Sequence, residues 1–80
     1  MKELILYGHN GCPHCVHAKD WLEKNSVPYT MKDTTEPANQ TEFQQYNSPG
    51  VPLLIIKDDK DATEQKILGF NKDRYEKTIL

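Results

Sequence analysis

The sequence predicts an α/β fold with the element order βαβαββα, in which a four-stranded mixed sheet is flanked by three helices. Short apolar runs typical of strands alternate with segments whose apolar residues have helical spacing, and glycine or proline separates them. The chain has 80 residues, which is the length of one domain, and it contains no repeat and no linker-like tract. We therefore expect residues 1–80 to form a single domain.

The N-terminal half predicts a strand, a helix and a second strand. Residues 3–7 (ELILY) are almost wholly apolar, as in a strand that is buried on both faces. Pro13 suits the first position of a helix, because its missing N–H is not needed there. Pro28 ends this helix, and residues 28–32 (PYTMK) form the second strand, parallel to the first. Three residues at positions i, i+3 and i+7 share the core face of the helix: Cys15, Ala18 and Leu22.

The middle of the chain predicts a second helix and a hairpin. Residues 34–46 begin with TTEP, a composition typical of helix starts, and end at NSPG. Residues 51–57 (VPLLIIK) form the third strand and residues 64–68 (EQKIL) the fourth. The polar segment 58–63 between them is typical of a hairpin connection, so these two strands should be antiparallel.

The last predicted helix spans residues 72–79 and follows a break at Gly69. Asn71 is a suitable N-cap, and Phe70 and Tyr75 have the spacing of a hydrophobic staple.

Composition excludes several functional classes. The formal net charge is -2, and basic residues are interspersed with acidic ones rather than clustered, so we expect no nucleic-acid partner. The longest apolar run, residues 51–56, is far shorter than the roughly 20 residues that cross a membrane. The N-terminal segment lacks a signal-cleavage pattern, and we expect a cytoplasmic, reducing location.

The two cysteines of the sequence, Cys12 and Cys15, admit three roles: a metal clamp, a structural disulfide or thiol exchange. A disulfide across so short a loop would stabilise the fold very little. Metal binding would need more ligands, since structural zinc takes four. His9 and His17 are the right ligand types, but a strand and a helix should hold them apart. Thiol exchange remains the best interpretation.

The predicted fold makes the two thiols unequal. Cys12 precedes the helix at the carboxyl end of the first strand, where the free N–H groups and the helix dipole favour its thiolate. Cys15 lies one turn later on the core face. Exchange needs an exposed thiolate to attack and a second thiol to resolve the mixed disulfide. We predict Cys12 as the nucleophile and Cys15 as the resolving cysteine. His14 either stabilises the Cys12 thiolate as an imidazolium or is merely solvated, and His17 is expected at the surface.

Four segments resemble the glutaredoxin family: YGHNGCPHC (7–15), VPYTMKD (27–33), SPGVPLLII (48–56) and LGFNKD (68–73). The resemblance covers essentially the whole chain and implies the minimal thioredoxin fold. It also implies a cis peptide bond between Val51 and Pro52, and an exposed backbone edge at Val51 with which an extended, cysteine-containing substrate could pair.

The resemblance further implies functional residues and an electron donor. Pro13, His14 and Pro52 would support the active site. Glutathione, as a co-substrate, would contact the following residues: His9, Val51, Pro52, Gly69, Phe70, Asn71, Lys72 and Asp73. Three positions depart from glutathione-using members, which usually have lysine at His9, tyrosine at His14 and a second glycine at Phe70.

We expect a small dithiol-disulfide oxidoreductase that reduces protein or glutathione mixed disulfides, without a bound cofactor or metal and as a monomer. The Gly-Phe-x-x-Asp pattern of residues 69–73 resembles the redoxins that serve ribonucleotide reductase and are reduced by thioredoxin reductase. That donor and that partner are therefore the first alternative. A metal-binding module, or an iron–sulfur cluster bridged through Cys12 with glutathione, is the second. A redox-inert domain is disfavoured because both cysteines are present.

Overall fold

The computed structural model describes residues 2–79 and contains the seven predicted elements in the predicted order. Their bounds are β1 Lys2–Gly8, α1 Pro13–Lys24, β2 Thr30–Asp33, α2 Pro37–Gln44, β3 Leu53–Asp58, β4 Thr63–Leu68 and α3 Lys72–Ile79. The strands form one sheet in the order β2-β1-β3-β4. β1 and β2 are parallel, whereas β3 is antiparallel to both β1 and β4. The predicted α/β class and mixed four-stranded sheet are confirmed.

Alternate residues of the central strands face two separate apolar clusters, as the period of two in a strand requires. On one face, Leu4 and Leu6 of β1 pack with residues of α1 and α3. On the other face, Ile5 and Tyr7 pack with Phe43 from α2 and with Tyr46, which follows it. The sheet therefore lies between α1 and α3 on one side and α2 on the other, which explains why β1 is apolar throughout.

Local hydrogen bonds shift the ends of β2 and α2 from their predicted positions, and β3 spans Leu53–Asp58 rather than residues 51–57. β2 begins at Thr30, rather than at residue 28, because its pairing with β1 starts there. α2 begins at Pro37, rather than at residue 34, because the Asp33 carboxylate accepts bonds from the Thr35 N–H (2.8 Å) and hydroxyl (2.6 Å). This side-chain turn uses the residues before the helix. α2 ends at Gln44, rather than at residue 46, and Asn47 has a left-handed φ of 54°.

The last helix starts as predicted. The Arg74 N–H donates to the Asn71 side-chain oxygen at 3.1 Å, which makes Asn71 the N-cap. The rings of Phe70 and Tyr75 meet edge-on with centroids 5.1 Å apart, so the predicted hydrophobic staple is also present.

Sheet register brings several chain segments to one edge. Gly8 pairs with Asp33, Tyr7 with Leu53, and Leu53 with Leu68. The loop after β1, the Val51–Pro52 segment before β3 and the loop after β4 therefore meet at the same end of the sheet. Among residues 2–79, no helix has the length and apolarity needed to cross a membrane.

Candidate active site

Cys12 is the N-cap of α1, as its position before Pro13 predicts. Its backbone is extended (φ -104°, ψ 114°), and Pro13 occupies the first turn. The Cys15 N–H donates to the Cys12 Sγ at 3.3 Å. The free N–H groups at a helix start bind anions, so a thiolate on Cys12 would accept this bond. The residue is partly exposed, which leaves its sulfur open to a reaction partner.

Cys15 is buried, with 1% of its surface exposed, and shares the core face of α1 with Ala18 and Leu22. Burial, followed by the hydrogen bond with Cys12, raises the pKa of the Cys15 thiol to about 12. Both cysteines are free thiols in this structure. The two thiols therefore differ in exposure and in hydrogen bonding, and Cys15 is the one held in the neutral form.

Gly8, the last residue of β1, provides the space that Cys15 occupies. A Cβ placed on Gly8 would lie 2.6 Å from the Cys15 Sγ and 3.0 Å from its Cβ. The Gly8 carbonyl accepts the Thr34 N–H at 2.9 Å, which holds the glycine in place beside the helix. A glycine inside a strand often marks such a close approach, and this signal was available in the sequence, because Gly8 directly follows the apolar run of residues 3–7.

The Val51–Pro52 peptide bond is cis, as the resemblance implied. Pro52 is buried, whereas Val51 is partly exposed at the end of the sheet where α1 begins. The Pro52 carbonyl accepts the Gly69 N–H at 2.8 Å, and Gly69 has a φ of +78°. This bond ties the loop after β4 to the cis-proline segment, so Gly69 and Phe70 lie beside it.

The three histidines have different surroundings. The Nδ1 of His9 accepts the Gly11 N–H at 3.2 Å, within the loop that leads to Cys12. Asp33 lies at the same edge, and its pKa is lowered by its bonds from Thr35 and, to a smaller degree, by His9. His14 is exposed in the first turn of α1. His17 is exposed as predicted, but its ring stacks on the ring of Phe70, with the two centroids 6.5 Å apart.

The residues predicted to contact glutathione lie in different segments and differ in their exposure. His9, Val51 and Pro52 belong to segments that meet at the sheet edge, while Asn71, Lys72 and Asp73 are exposed at the start of α3. The Asn71 oxygen is already used as the helix cap. Phe70 is partly buried against Tyr75 and His17.

No group of three or more His, Cys, Asp or Glu side chains within residues 2–79 is arranged to hold a metal ion.

Sequence reasoning also missed a groove between α1 and α3. Trp21, Lys24 and Glu76 line this groove together with His17, Phe70 and Lys72. No local pattern indicated it, because the groove depends on how α1 and α3 pack against the same face of the sheet.

The solved structures that resemble this chain share its fold. Glutaredoxin 1 from Francisella tularensis is 27% identical, with a TM-score of 0.68 over 99% of this chain and 96% of that one. The glutaredoxin from Archaeoglobus fulgidus is 21% identical (TM-score 0.78; 99% and 87% covered). The glutaredoxin-like NrdH-redoxin from Escherichia coli is 18% identical (TM-score 0.75; 98% and 96% covered), and these last two show the fold alone.

No curated protein sequence matches this chain. The statistical model of the glutaredoxin family, in contrast, matches residues 4–60, which include both cysteines and the cis-proline segment. With this match over more than half of its length, and with the thioredoxin-like fold around a helix-start cysteine pair, the chain belongs to the glutaredoxin family, a family of redox proteins.

Proposed function

We propose that this protein is a dithiol-disulfide oxidoreductase in which Cys12 attacks the disulfide of a substrate and Cys15 resolves the product. The observation that carries the proposal is the inequality of the two thiols. Cys12 is partly exposed and accepts a backbone N–H at the start of α1, whereas Cys15 is buried and has a raised pKa. This division matches what thiol exchange requires of an attacking and a resolving cysteine.

The reaction has two steps. In the first, the Cys12 thiolate attacks one sulfur of the substrate disulfide; a Cys12–substrate disulfide forms, and the second substrate sulfur leaves as a thiolate. In the second, Cys15 gives its proton to that thiolate or to solvent, and the Cys15 thiolate attacks the Cys12 sulfur. The Cys12–Cys15 disulfide forms, and the first substrate sulfur leaves as a thiolate that takes a proton from solvent. Two electrons pass from the cysteine pair to the substrate.

The raised pKa of Cys15 supports this order of events. A buried neutral thiol does not compete with Cys12 for the incoming disulfide. Its position one turn along the same helix keeps it close to the Cys12 sulfur, which favours the second step once the mixed disulfide has formed.

The substrate would contact the segment around the cis bond. Val51 is partly exposed and precedes β3 at the edge where α1 begins. We infer that an extended cysteine-containing segment pairs with the Val51 backbone, in the manner of strand addition. Pro13 starts α1 behind Cys12, and His14 is close enough in sequence for its imidazolium to stabilise the thiolate.

Glutathione is one candidate electron donor and a thioredoxin-reductase-like enzyme is the other. Phe70 favours the second, because its ring fills the loop where glutathione-using members have glycine and packs against Tyr75 and His17. His9 stands where glutathione-using members usually have lysine, and the neighbouring Asp33 would repel a glutathione carboxylate. This edge of the sheet therefore also favours a thioredoxin-reductase-like donor. Ribonucleotide reductase is a partner to test in that case. Because the cycle must restore both thiols, we infer a reducing compartment such as the cytoplasm.

The experiment supplies NADPH with either glutathione and glutathione reductase or thioredoxin reductase, and follows the reduction of a disulfide substrate. We expect turnover with at least one system, loss of turnover in Cys12→Ser, and a trapped mixed disulfide in Cys15→Ser that mass spectrometry detects. Alanine at exposed Lys60 serves as the control substitution. Full activity of Cys12→Ser, or no turnover with either donor, would overturn the proposal.

A further inference from the structure

A groove of about 490 Å³ lies between α1 and α3. Six side chains that line it carry the inference: His17, Trp21 and Lys24 from α1, and Phe70, Lys72 and Glu76 from α3 and the residue before its cap. A cavity of about 330 Å³ at the opposite end of β1, beside Lys2 and Glu3, lies away from the cysteines.

The floor of the groove is aromatic and firmly packed. The rings of Trp21 and Phe70 both meet the buried ring of Tyr75 edge-on, with centroids 5.5 Å and 5.1 Å away. Trp21 is 8% exposed, and the side-chain amide of Asn25 donates to its carbonyl oxygen at 2.8 Å. Edge-on aromatic pairs of this kind hold rings in fixed positions, so the floor can receive an apolar side chain with little rearrangement.

The rim of the groove is cationic on an acidic protein. Lys24 and Lys72 are exposed, Glu76 is the acidic residue among those that line the groove, and the whole chain has a net charge of -2. Among residues 2–79, the ion pair within 4.0 Å joins Lys32 to Glu42, and neither groove lysine reaches a carboxylate of the described residues at that distance. The two ammonium groups are therefore available to an anionic partner.

Two of the residues that line the groove, His17 and Phe70, lie towards the active-site edge. His17 follows Cys12 by five residues, which is about 7.5 Å along a helix, and Lys24 follows it by twelve, about 18 Å. Phe70 is joined to the cis-proline segment through the bond from the Gly69 N–H to the Pro52 carbonyl. A chain bound at Cys12 could thus continue into the groove, and at about 3.3 Å per residue it would span that distance with roughly two to six residues.

We propose that this groove binds an acidic segment of a disulfide-bearing protein substrate, with carboxylates at Lys24 and Lys72 and an apolar side chain against Trp21 and Phe70. The identity of this partner rests on the proposed function, whereas the charge and shape of the groove do not. The acidic residues would stand about two to six positions from the substrate cysteine. The complementary charges would mainly speed and orient encounter.

Trp21 makes the test independent of redox chemistry, because it is the one tryptophan of the sequence and lines the groove. The probe is a short synthetic peptide with serine in place of the substrate cysteine and with two glutamates and a phenylalanine placed about two to six positions after it; its partner peptide has glutamine for both glutamates. We expect the acidic peptide to change the Trp21 fluorescence and to bind about 3- to 10-fold more tightly than the neutral one.

Salt and charge variants complete the experiment. Raising the ionic strength from about 0.01 M to about 1 M shortens the Debye length from about 30 Å to about 3 Å and should remove the preference. Lys24→Glu should remove it as well, whereas Lys60→Glu, which makes the same charge change in the exposed turn after β3, should retain it.

The outcomes separate this inference from the proposed function. Equal binding of the two peptides, equal effects of the two lysine variants, or a stronger response to a short single-stranded DNA would overturn the groove's assigned occupant while leaving disulfide reduction intact. If the protein bound the acidic peptide selectively but reduced no disulfide with either donor, the inference about the groove would be supported and the proposed function refuted.

Discussion

Replacing Gly8 by alanine tests the packing that positions Cys15, the proposed resolving cysteine. The added Cβ would lie 2.6 Å from the Cys15 Sγ and 3.0 Å from its Cβ, whereas its 3.9 Å approach to the Met31 Cε is ordinary contact. Favourable contacts between heavy atoms begin at about 3.5 Å, so the overlap with sulfur is about 1 Å. Gly8 is held by its pairing with Asp33 and by the Thr34 N–H, and Cys15 must therefore move.

The cost can be worked out from two opposing effects. Overpacking a core by one methyl group destabilises a protein by about 1–3 kcal/mol. Replacing glycine by alanine at a compatible backbone conformation stabilises the folded protein by about 0.4–1 kcal/mol, because the unfolded chain loses conformational entropy. We expect a net loss of about 1–2 kcal/mol in the free energy of unfolding, and a fall in Tm of roughly 4 °C or more. Displacement of the Cys15 sulfur should also slow the resolution of a mixed disulfide at Cys12.

Gly50→Ala is the matched control, because a Cβ there meets nothing within 4 Å. Urea unfolding followed by Trp21 fluorescence gives the stability of both variants, and mass spectrometry gives the lifetime of the mixed disulfide. If Gly8→Ala had the unfolding midpoint and the resolution rate of Gly50→Ala, the reasoning about Cys15 packing would be refuted.

Three further predictions follow from the same groups. Alkylation at mildly acidic pH should label Cys12 before Cys15, which is buried and whose pKa is about 12; peptide mapping that found Cys15 labelled first would contradict the assignment. Because the folded-state pKa of Cys15 is raised from 9.0, its contribution to stability should be complete below about pH 8.5 and decline as pH rises towards 12. Cys15→Ala, compared by urea unfolding across that range, should decline less, and equal slopes would show that Cys15 does not contribute. Tyr75→Phe should stabilise the fold by about 1 kcal/mol, because the buried Tyr75 hydroxyl has no hydrogen-bond partner among the described residues. Tyr29→Phe, which removes a 3.0 Å bond to Glu23, should give no such gain, and thermal unfolding of both variants decides.

The fold was predictable because its elements are marked locally. The apolar run of β1 and the apolar face of α1 indicate burial directly, and Asn71 with the Phe70–Tyr75 staple marks the start of α3. The ends of α2 were less predictable. Asp33 competes for the backbone and hydroxyl of Thr35, and this side-chain bond decides where the helix can begin.

The active site was predictable only in part, for a related reason. The two cysteines and the cis-proline segment lie within short motifs, so their spacing carries the information. The contact between Gly8 and Cys15 and the groove at Trp21 arise where separate elements pack together. A single sequence records which residues are apolar, but it does not record the distance between a strand end and the helix beside it.

The two thiols differ because the cysteine pair lies at the very start of α1. The three-residue separation alone would not make them differ. Had the pair stood one turn further into α1, both sulfurs would have lain beyond the free N–H groups of the helix start, and neither would accept the bond that Cys12 accepts from Cys15. Placed at the cap, the same separation leaves Cys12 partly exposed and carries Cys15 into the space beside Gly8. In this chain one helical turn therefore provides a partly exposed and a buried thiol, and Gly8, at the end of the strand before the helix, leaves the space that the buried thiol occupies.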